Sequence, residues 1–290
     1  MISNQVYKTN SSQELYWQRA CKRDMTYILG AKCKDGIVLV GDTKITIGGG
    51  ADIEYSRKIT FPLTYVVMGS AGAEGLYRDF QNKIQSEVIR IQDEVRRTNI
   101  PSPYIISEPG FSSLVTDTIR RMHTNFGQDR YMLINDLMIL CATQIDVFNP
   151  QLNTFDGYGV PEPVNEIRAI GHGKPYGALF HKKLWKKSMT MEQTAKLGLF
   201  IIKFIEKMEL DNSVGYTSDF LPQVVYIPNI SKPSNFDTLN QKEKNKLIGQ
   251  LRQAKPIKEL TPDIVKKFMD EMDSNISVVD NWFKLSQFKI

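Results

Sequence analysis

Two short apolar runs, Thr26 to Lys32 and Ile37 to Asp42, are separated by Lys34-Asp35-Gly36. Asp-Gly is a strong hairpin signal, because glycine accepts positive φ without steric cost. The pattern predicts an antiparallel strand pair at the point where the folded chain begins. Upstream, residues 1–25 are rich in Asn, Gln, Ser and charge, with no periodic pattern until Leu15-Tyr16-Trp17. They read as a leader or propeptide.

The rest of the chain alternates blocks of strands and helices. Thr64 to Met68 reads as a buried strand, after a Gly-Gly-Gly loop at 48–50. Gly72 opens a helix in which Leu76, Phe80, Ile84, Val88, Ile91 and Val95 fall on one face. Asn99 to Gly110, with three prolines, reads as a loop. A second helix follows, burying Leu114, Val115, Ile119 and Met122. Leu137 to Ala142, Val147 to Tyr158 and Val164 to Ile170 read as strands. Thr190-Met191-Glu192-Gln193 has the capping-box spacing and starts a helix running to about Met208. Val224 to Ile227 reads as a last strand, stopped by Pro228. A linker at Ser231 to Asn235 leads to a charged helix over Lys242 to Gln253. Another helix starts at Thr261-Pro262-Asp263, with an N-cap Thr and Pro at the first helical position. The end of the chain carries Trp282, Phe283 and Phe288, apolar surface that predicts docking on the core or on a neighbouring subunit. This order suits two packed sheets with helices on both outer faces. It divides the chain into the leader 1–25, a domain over 26–230 and a helical C-terminal extension over 231–290.

Composition excludes several classes. No apolar run reaches the roughly 18 residues that a membrane span needs, and residues 1–24 lack the apolar core of a secretory signal. Three sparse cysteines (Cys21, Cys33 and Cys141) form no Cys-x-x-Cys pair. They suit a reducing, cytoplasmic setting and not a disulfide scaffold. The formal net charge of +5 is spread along the chain. Its clearest cluster, Lys182-Lys183 with Lys186-Lys187, reads as a solvated helix face and not as a nucleic-acid site. Gly69, Gly72 and Gly75 follow a strand and precede a helix, but they match neither the dinucleotide pattern nor the P-loop, and no Lys-Ser/Thr follows.

One constellation carries chemistry. Thr26, Gly30, Lys34-Asp35-Gly36, Asp42, Thr46, Lys58 and Ala71-Gly72-x-x-Gly75 stand in one register over fifty residues. Each piece is common by itself. Together they resemble the start of a mature proteasome β-type subunit, a member of the N-terminal-nucleophile hydrolases, and the resemblance runs more loosely to about residue 228. It implies an α+β fold: a four-layer α/β/β/α sandwich of two antiparallel sheets flanked by helices, here with the C-terminal helical extension added. It also implies a threonine endopeptidase. A threonine hydroxyl is a weak nucleophile, and an N-terminal threonine supplies its own α-amine as base. That amine titrates near pH 8, roughly, and so is partly neutral at working pH.

By this resemblance Thr26 attacks the peptide carbonyl once residues 1–25 are removed. Lys58 stands beside the hydroxyl and favours its deprotonated form, and Asp42 keeps Lys58 charged and aimed. Gly72 offers its backbone N–H to the developing oxyanion. Thr46 binds the substrate backbone as an added strand, with Gly72 and Glu74 opposite. Ile45, Ser70, Glu74 and Arg78 line the pocket before the scissile bond. The resemblance implies no metal and no organic cofactor. It implies an unfolded polypeptide substrate, a homo- or hetero-oligomeric β ring, an α-type ring and an ATPase regulator, with no nucleic acid and no membrane.

The sequence departs from the pattern at three places. Met25 stands where the family has glycine, so that either self-cleavage is impaired or translation begins at Met25 and exposes Thr26 directly. In Gly171-His172-Gly173 a histidine replaces the serine near the nucleophile's amine; it is either a proton relay or a surface loop residue. The Asp and Ser after the fourth helix match Asp211 and Ser213, with Glu209 competing for the first, and the glycine pair is reduced to Gly215. Thr26, Asp42 and Lys58 favour an active peptidase. Met25 and His172 favour the alternative, a non-catalytic structural ring subunit.

Overall fold

The computed structural model describes residues 26–47, 52–72, 74–100, 102, 107–126 and 136–273. The leader, the Gly-Gly-Gly loop and the aromatic end of the chain lie outside the described residues. The hairpin forms where expected, with Lys34 and Asp35 as its two turn residues: β1 (Ile28–Cys33) and β2 (Gly36–Gly41) pair antiparallel, with Cys33 opposite Gly36. These central strands join β10 (Ile167–Ile170), β11 (Gln223–Pro228) and β12 (Lys258–Glu259) in a sheet of order β10-β1-β2-β11-β12. A second sheet has the order β5-β6-β7-β8-β9. Its strands are β5 (Ile59–Leu63), β6 (Val66–Ala71), β7 (Met138–Thr143), β8 (Gln151–Phe155) and β9 (Pro161–Pro163). A separate ribbon pairs β3 (Lys44–Ile47) with β4 (Asp52–Tyr55).

Strand alternation sorts the core into three layers. Ile28, Leu39, Val67, Ala71, Leu140 and Ile170 pack between the two sheets. Tyr27, Leu29, Val38 and Val40 face outward under α3 (Lys174–Leu184) and α4 (Met191–Lys207). Val66, Met68 and Ile139 face the other way, under α1 (Glu74–Thr98) and α2 (Glu108–Phe126). The result is the four-layer α/β/β/α sandwich of two antiparallel sheets expected above, with α5 (Gln241–Ala254) and α6 (Pro262–Asp270) added at the end. The α4 capping box forms in full, with Thr190 accepting from the Gln193 N–H and Gln193 from the Thr190 N–H.

Several boundaries differ from the sequence reading. Thr64 and Tyr65 form the turn between β5 and β6, and the strand runs from Val66 to Ala71. The loop read to Gly110 ends earlier: α2 starts at Glu108, with Pro109 tolerated in the first turn, where its missing N–H leaves no bond unmade. Val224 to Ile227 does not hold the last strand, because β12 adds to the edge of β11. The described part of the extension is fastened to the sandwich. Val265, Phe268 and Met269 join the core under α4, Lys203 Nζ donates to the Met269 carbonyl at 2.9 Å, and Arg252 donates to the carbonyls of Gln144 and Ile145.

Candidate active site

The site is built around two residues that precede the first ladder. Pairing of β1 with β2 begins at Ile28, so Thr26 and Tyr27 are held by other means. The Tyr27 N–H donates to Asp42 Oδ1 at 2.9 Å, and the Asp42 N–H returns a bond to the Tyr27 carbonyl at 3.1 Å. The Gly173 N–H donates to the Thr26 carbonyl at 3.2 Å. Gly171, at φ +89°, explains why that turn needs glycine: a Cβ there would lie 2.0 Å from the Thr26 carbonyl oxygen. His172 therefore sits on a turn pressed against the Thr26 backbone. It is half-buried, and its ring makes no hydrogen bond among the described residues.

Asp42 and Lys58 form a fully buried ion pair. Lys58 Nζ donates to Asp42 Oδ1 at 3.0 Å, to Oδ2 at 2.9 Å and to the Lys44 carbonyl at 2.5 Å. Burial pushes the Asp42 carboxyl above its ordinary pKa; Lys58 and the N–H groups of Tyr27 and Gly215 oppose that rise. All three ammonium protons have acceptors, and none goes to the Thr26 hydroxyl. Thr26 Oγ1 is buried without a hydrogen-bond partner among the described residues. Lys58 thus joins the Thr26 segment through Asp42, whose Oδ1 also binds the Tyr27 N–H.

Two loops close on this pair. Gly215 donates to Asp42 Oδ2 at 3.4 Å and accepts from the N–H groups of Thr43 and Lys44. Just before it, Ser213 donates to Asp211 Oδ1 through its hydroxyl, and through its N–H at 3.1 Å. Asp211 and Ser213 are buried, whereas Glu209 is exposed and takes a positive φ of 49° at the end of α4. A Cβ on Gly173 would lie 3.0 Å from Val214 Cγ2, so the Asp211 to Gly215 loop and the Gly171 to Gly173 turn are in contact. Gly72 directly follows β6 at φ +130°, and a Cβ there would fall 2.9 Å from the Asp136 carbonyl oxygen. Ile45 and Ser70 are buried; Ile45 packs in the core under α1, and Ser70 Oγ has no partner among the described residues. Arg78 is exposed on α1. Thr46 lies opposite Ile53 in the β3–β4 ribbon and Glu74 is the first residue of α1, but their side chains lie outside the described ones. Among the described residues no cluster of three or more His, Cys, Asp or Glu is arranged to hold a metal.

The proteasome subunit family model matches residues 25–216, two thirds of the chain, and includes Thr26, Asp42, Lys58 and the loops at Gly171 to Gly173 and Asp211 to Gly215. The chain belongs to the proteasome subunit family. Proteasome subunit alpha of Pyrococcus abyssi (strain GE5 / Orsay) is 25% identical over 266 residues, which cover 90% of this chain and 89% of that protein. Among solved structures, Anbu from Hyphomicrobium sp. strain MC1 aligns with a TM-score of 0.54 at 18% identity, covering 79% of this chain and 96% of its own. Anbu (ancestral beta-subunit) from Yersinia bercovieri aligns with a TM-score of 0.51 at 16% identity, covering 78% and 97%. These structures share the fold. Because the sequence relative carries the alpha name, family membership alone does not assign this proteasome subunit to the alpha or the beta type.

Three groups around the site escaped the sequence reading. Gln223 Oε1 accepts from the N–H groups of Lys58 and Ile59, at 2.7 and 2.8 Å, and fixes the residue that presents the ammonium. Its signal was a polar residue at the head of the apolar run Val224 to Ile227. Glu206 on α4 approaches Gly215 and accepts from the Tyr216 N–H at 3.4 Å; burial raises its pKa. The third is His181, whose Nε2 lies 2.7 Å from the Tyr27 hydroxyl. No local pattern announces contacts between residues 154 apart. Among the described residues no helix is long and apolar enough to cross a membrane.

Proposed function

We propose that this chain is a threonine-type endopeptidase subunit of a proteasome-like barrel, with Thr26 as nucleophile after removal of residues 1–25. The observation that carries this reading is the buried Asp42–Lys58 pair, bonded through Asp42 to the N–H that follows Thr26. Desolvating two charges costs several kcal/mol per ion, roughly, and their mutual attraction only partly offsets it. A pair kept at that cost, and bonded to the N–H that follows a buried, unpartnered hydroxyl, suits electrostatic work on that hydroxyl.

In the reaction, the freed α-amine of Thr26 takes the proton from Oγ1 as Oγ1 bonds to the substrate carbonyl carbon. The Gly72 N–H faces the oxyanion, and the positive charge of Lys58 favours the alkoxide. The amine then passes its proton to the departing peptide nitrogen, leaving an ester on Thr26 that water hydrolyses by the same route. Asp211, Ser213 and His172 would assist that amine, a role supported by the contact of the Gly171 to Gly173 turn with the Thr26 carbonyl and with Val214. Thr46 and Gly72 take the substrate as an added strand, and Ile45, Ser70, Glu74 and Arg78 shape the pocket before the scissile bond.

The proposed division is a leader that is removed, a catalytic domain over 26–230, and an extension over 231–290 whose described part packs on α4. The enzyme acts within a ring, alongside an α-type ring and an ATPase that delivers unfolded polypeptide. Exposed apolar residues on α1 and α3 (Ile89, Leu179 and Leu184) suit ring contacts. The buried free thiols of Cys33 and Cys141 suit the cytoplasm. The test is hydrolysis of a fluorogenic peptide by the assembled protein. Thr26→Ala should abolish turnover, by a factor of at least about 10³. Turnover preserved in Thr26→Ala would reject the assignment.

A further inference from the structure

The residue next to the proposed nucleophile is seated in a fitted slot that the reaction itself does not use. Strand alternation turns Tyr27 away from Thr26: its side chain lies in the core under α3 and α4 with Leu29 and Val40, while Ile28 points between the sheets. Tyr27 is fully buried. Its ring lies against Gly173 and Gly177. A Cβ on Gly173 would stand 2.9 Å from Tyr27 Cβ, and one on Gly177 would stand 2.7 Å from Tyr27 Cε2 and 2.9 Å from its hydroxyl. At the end of this groove His181 Nε2 meets the hydroxyl at 2.7 Å. Gly173, Gly177 and His181 are spaced by four along α3 and its N-cap, which already has helical φ and ψ, so they share one face. Two missing side chains admit the ring, and the third residue binds its tip.

We propose that His181 is a positioning residue for Thr26, acting through the Tyr27 phenol that it holds in the Gly173–Gly177 groove. The proposal rests on Thr26 being the nucleophile. Once residues 1–25 are removed, Thr26 is a chain terminus, and termini fray unless tied down. The β1–β2 ladder does not reach it. Its ties are the Gly173 bond to its own carbonyl, the two Asp42 bonds to the Tyr27 backbone, and the Tyr27 side chain in its groove. Misplacement of a reacting group by about 1 Å costs about 10²-fold in rate. Without the phenol bond the ring can shift within its groove, and the Tyr27 backbone that carries Thr26 shifts with it. Burial lowers the His181 pKa to about 4, so the ring is neutral at working pH. We assign the phenol as donor and Nε2 as acceptor.

The experiment uses the assembled, processed protein and a fluorogenic peptide, with Tyr27→Phe, His181→Leu, His181→Gln and the double variant Tyr27→Phe/His181→Leu. Processing at Thr26 is verified by mass in each. Tyr27→Phe keeps the ring and its packing, so it carries the test if His181→Leu does not fold. The expected result is a kcat lowered about 10- to 100-fold in each single loss-of-bond variant, with KM within about twofold of wild type. The double variant should fall no further than the worse single one, because both remove one bond. His181→Gln, which restores an acceptor, should recover most of kcat. Variants that fold, lose thermal stability and keep full kcat would reduce His181 to a packing residue and overturn the proposal. An inactive wild type with a verified Thr26 terminus would instead remove the nucleophile reading, and this proposal with it.

Discussion

The pair formed by Lys58 and Asp42 and the pair formed by Arg90 and Glu87 both close at 2.9 Å. The first sits among the strands with 1% and 0% of its side chains exposed; the second lies on the outer face of α1 with 56% and 18% exposed. Equal distance conceals unequal physics. On α1 water screens both charges, and Arg90 also reaches Glu94, so the cluster contributes little and serves chiefly to solvate the helix. In the sheets the ions have left water, and each needs every partner it has: Asp42 binds Lys58 and two backbone N–H groups, and Lys58 also binds the Lys44 carbonyl. Burial, not contact geometry, sets the two pairs apart, and it is why the proposed function rests on the first.

The largest expected effect comes from breaking the buried pair on one side. Lys58→Met leaves Asp42 uncompensated and should cost about 3–5 kcal/mol in denaturant melts, along with all peptidase activity. Replacing both partners, Asp42→Leu with Lys58→Met, sharpens the contrast: stability should return to within about 1–2 kcal/mol of wild type while activity stays lost. Recovery of activity in the double variant would show that the pair serves packing alone.

A neutral buried group gives the next effect. His181 has its pKa lowered to about 4 from an ordinary 6.5, so the unfolded chain binds more protons than the native one between those values. Its contribution is fully present above pH 6.5 and is lost as pH falls toward 4, by up to about 3 kcal/mol. The difference in stability between wild type and His181→Gln should therefore vary across pH 4 to 6.5 and flatten above it. A difference that does not change with pH would contradict the buried, neutral assignment.

The smallest effect belongs to the exposed cluster. Arg90→Ala should leave peptidase activity unchanged and the melting curve nearly so, and the small residual effect should vanish in high salt. A salt-independent loss would mean that the α1 face is covered in the assembled ring.

Much of the fold was legible because it rests on local chemistry. The Lys34-Asp35-Gly36 segment marked the hairpin, Thr190 and Gln193 set the start of α4, and Leu76, Phe80, Ile84, Val88 and Ile91 are buried on α1 as their spacing predicts. Apart from β3, whose four residues were too short a run to stand out, the strands that escaped notice lack that chemistry. β4 is polar, β5 carries a proline, β9 is Pro-Glu-Pro at a sheet edge, and β12 has two residues. Only their partners make them strands. The same divide runs through the site. The candidates Thr26, Asp42, Lys58 and Gly72 were proposed from their register, whereas Gln223 reaches Lys58, Glu206 reaches Tyr216 and His181 reaches Tyr27 across the fold.

The most direct test of the account is the intact mass of the purified, assembled protein. A chain beginning at Thr26 is the expected result, since only a free α-amine gives the hydroxyl its base. A chain still beginning at Met1 after assembly would leave Thr26 within the polypeptide, contradict the peptidase reading, and make this a structural ring subunit.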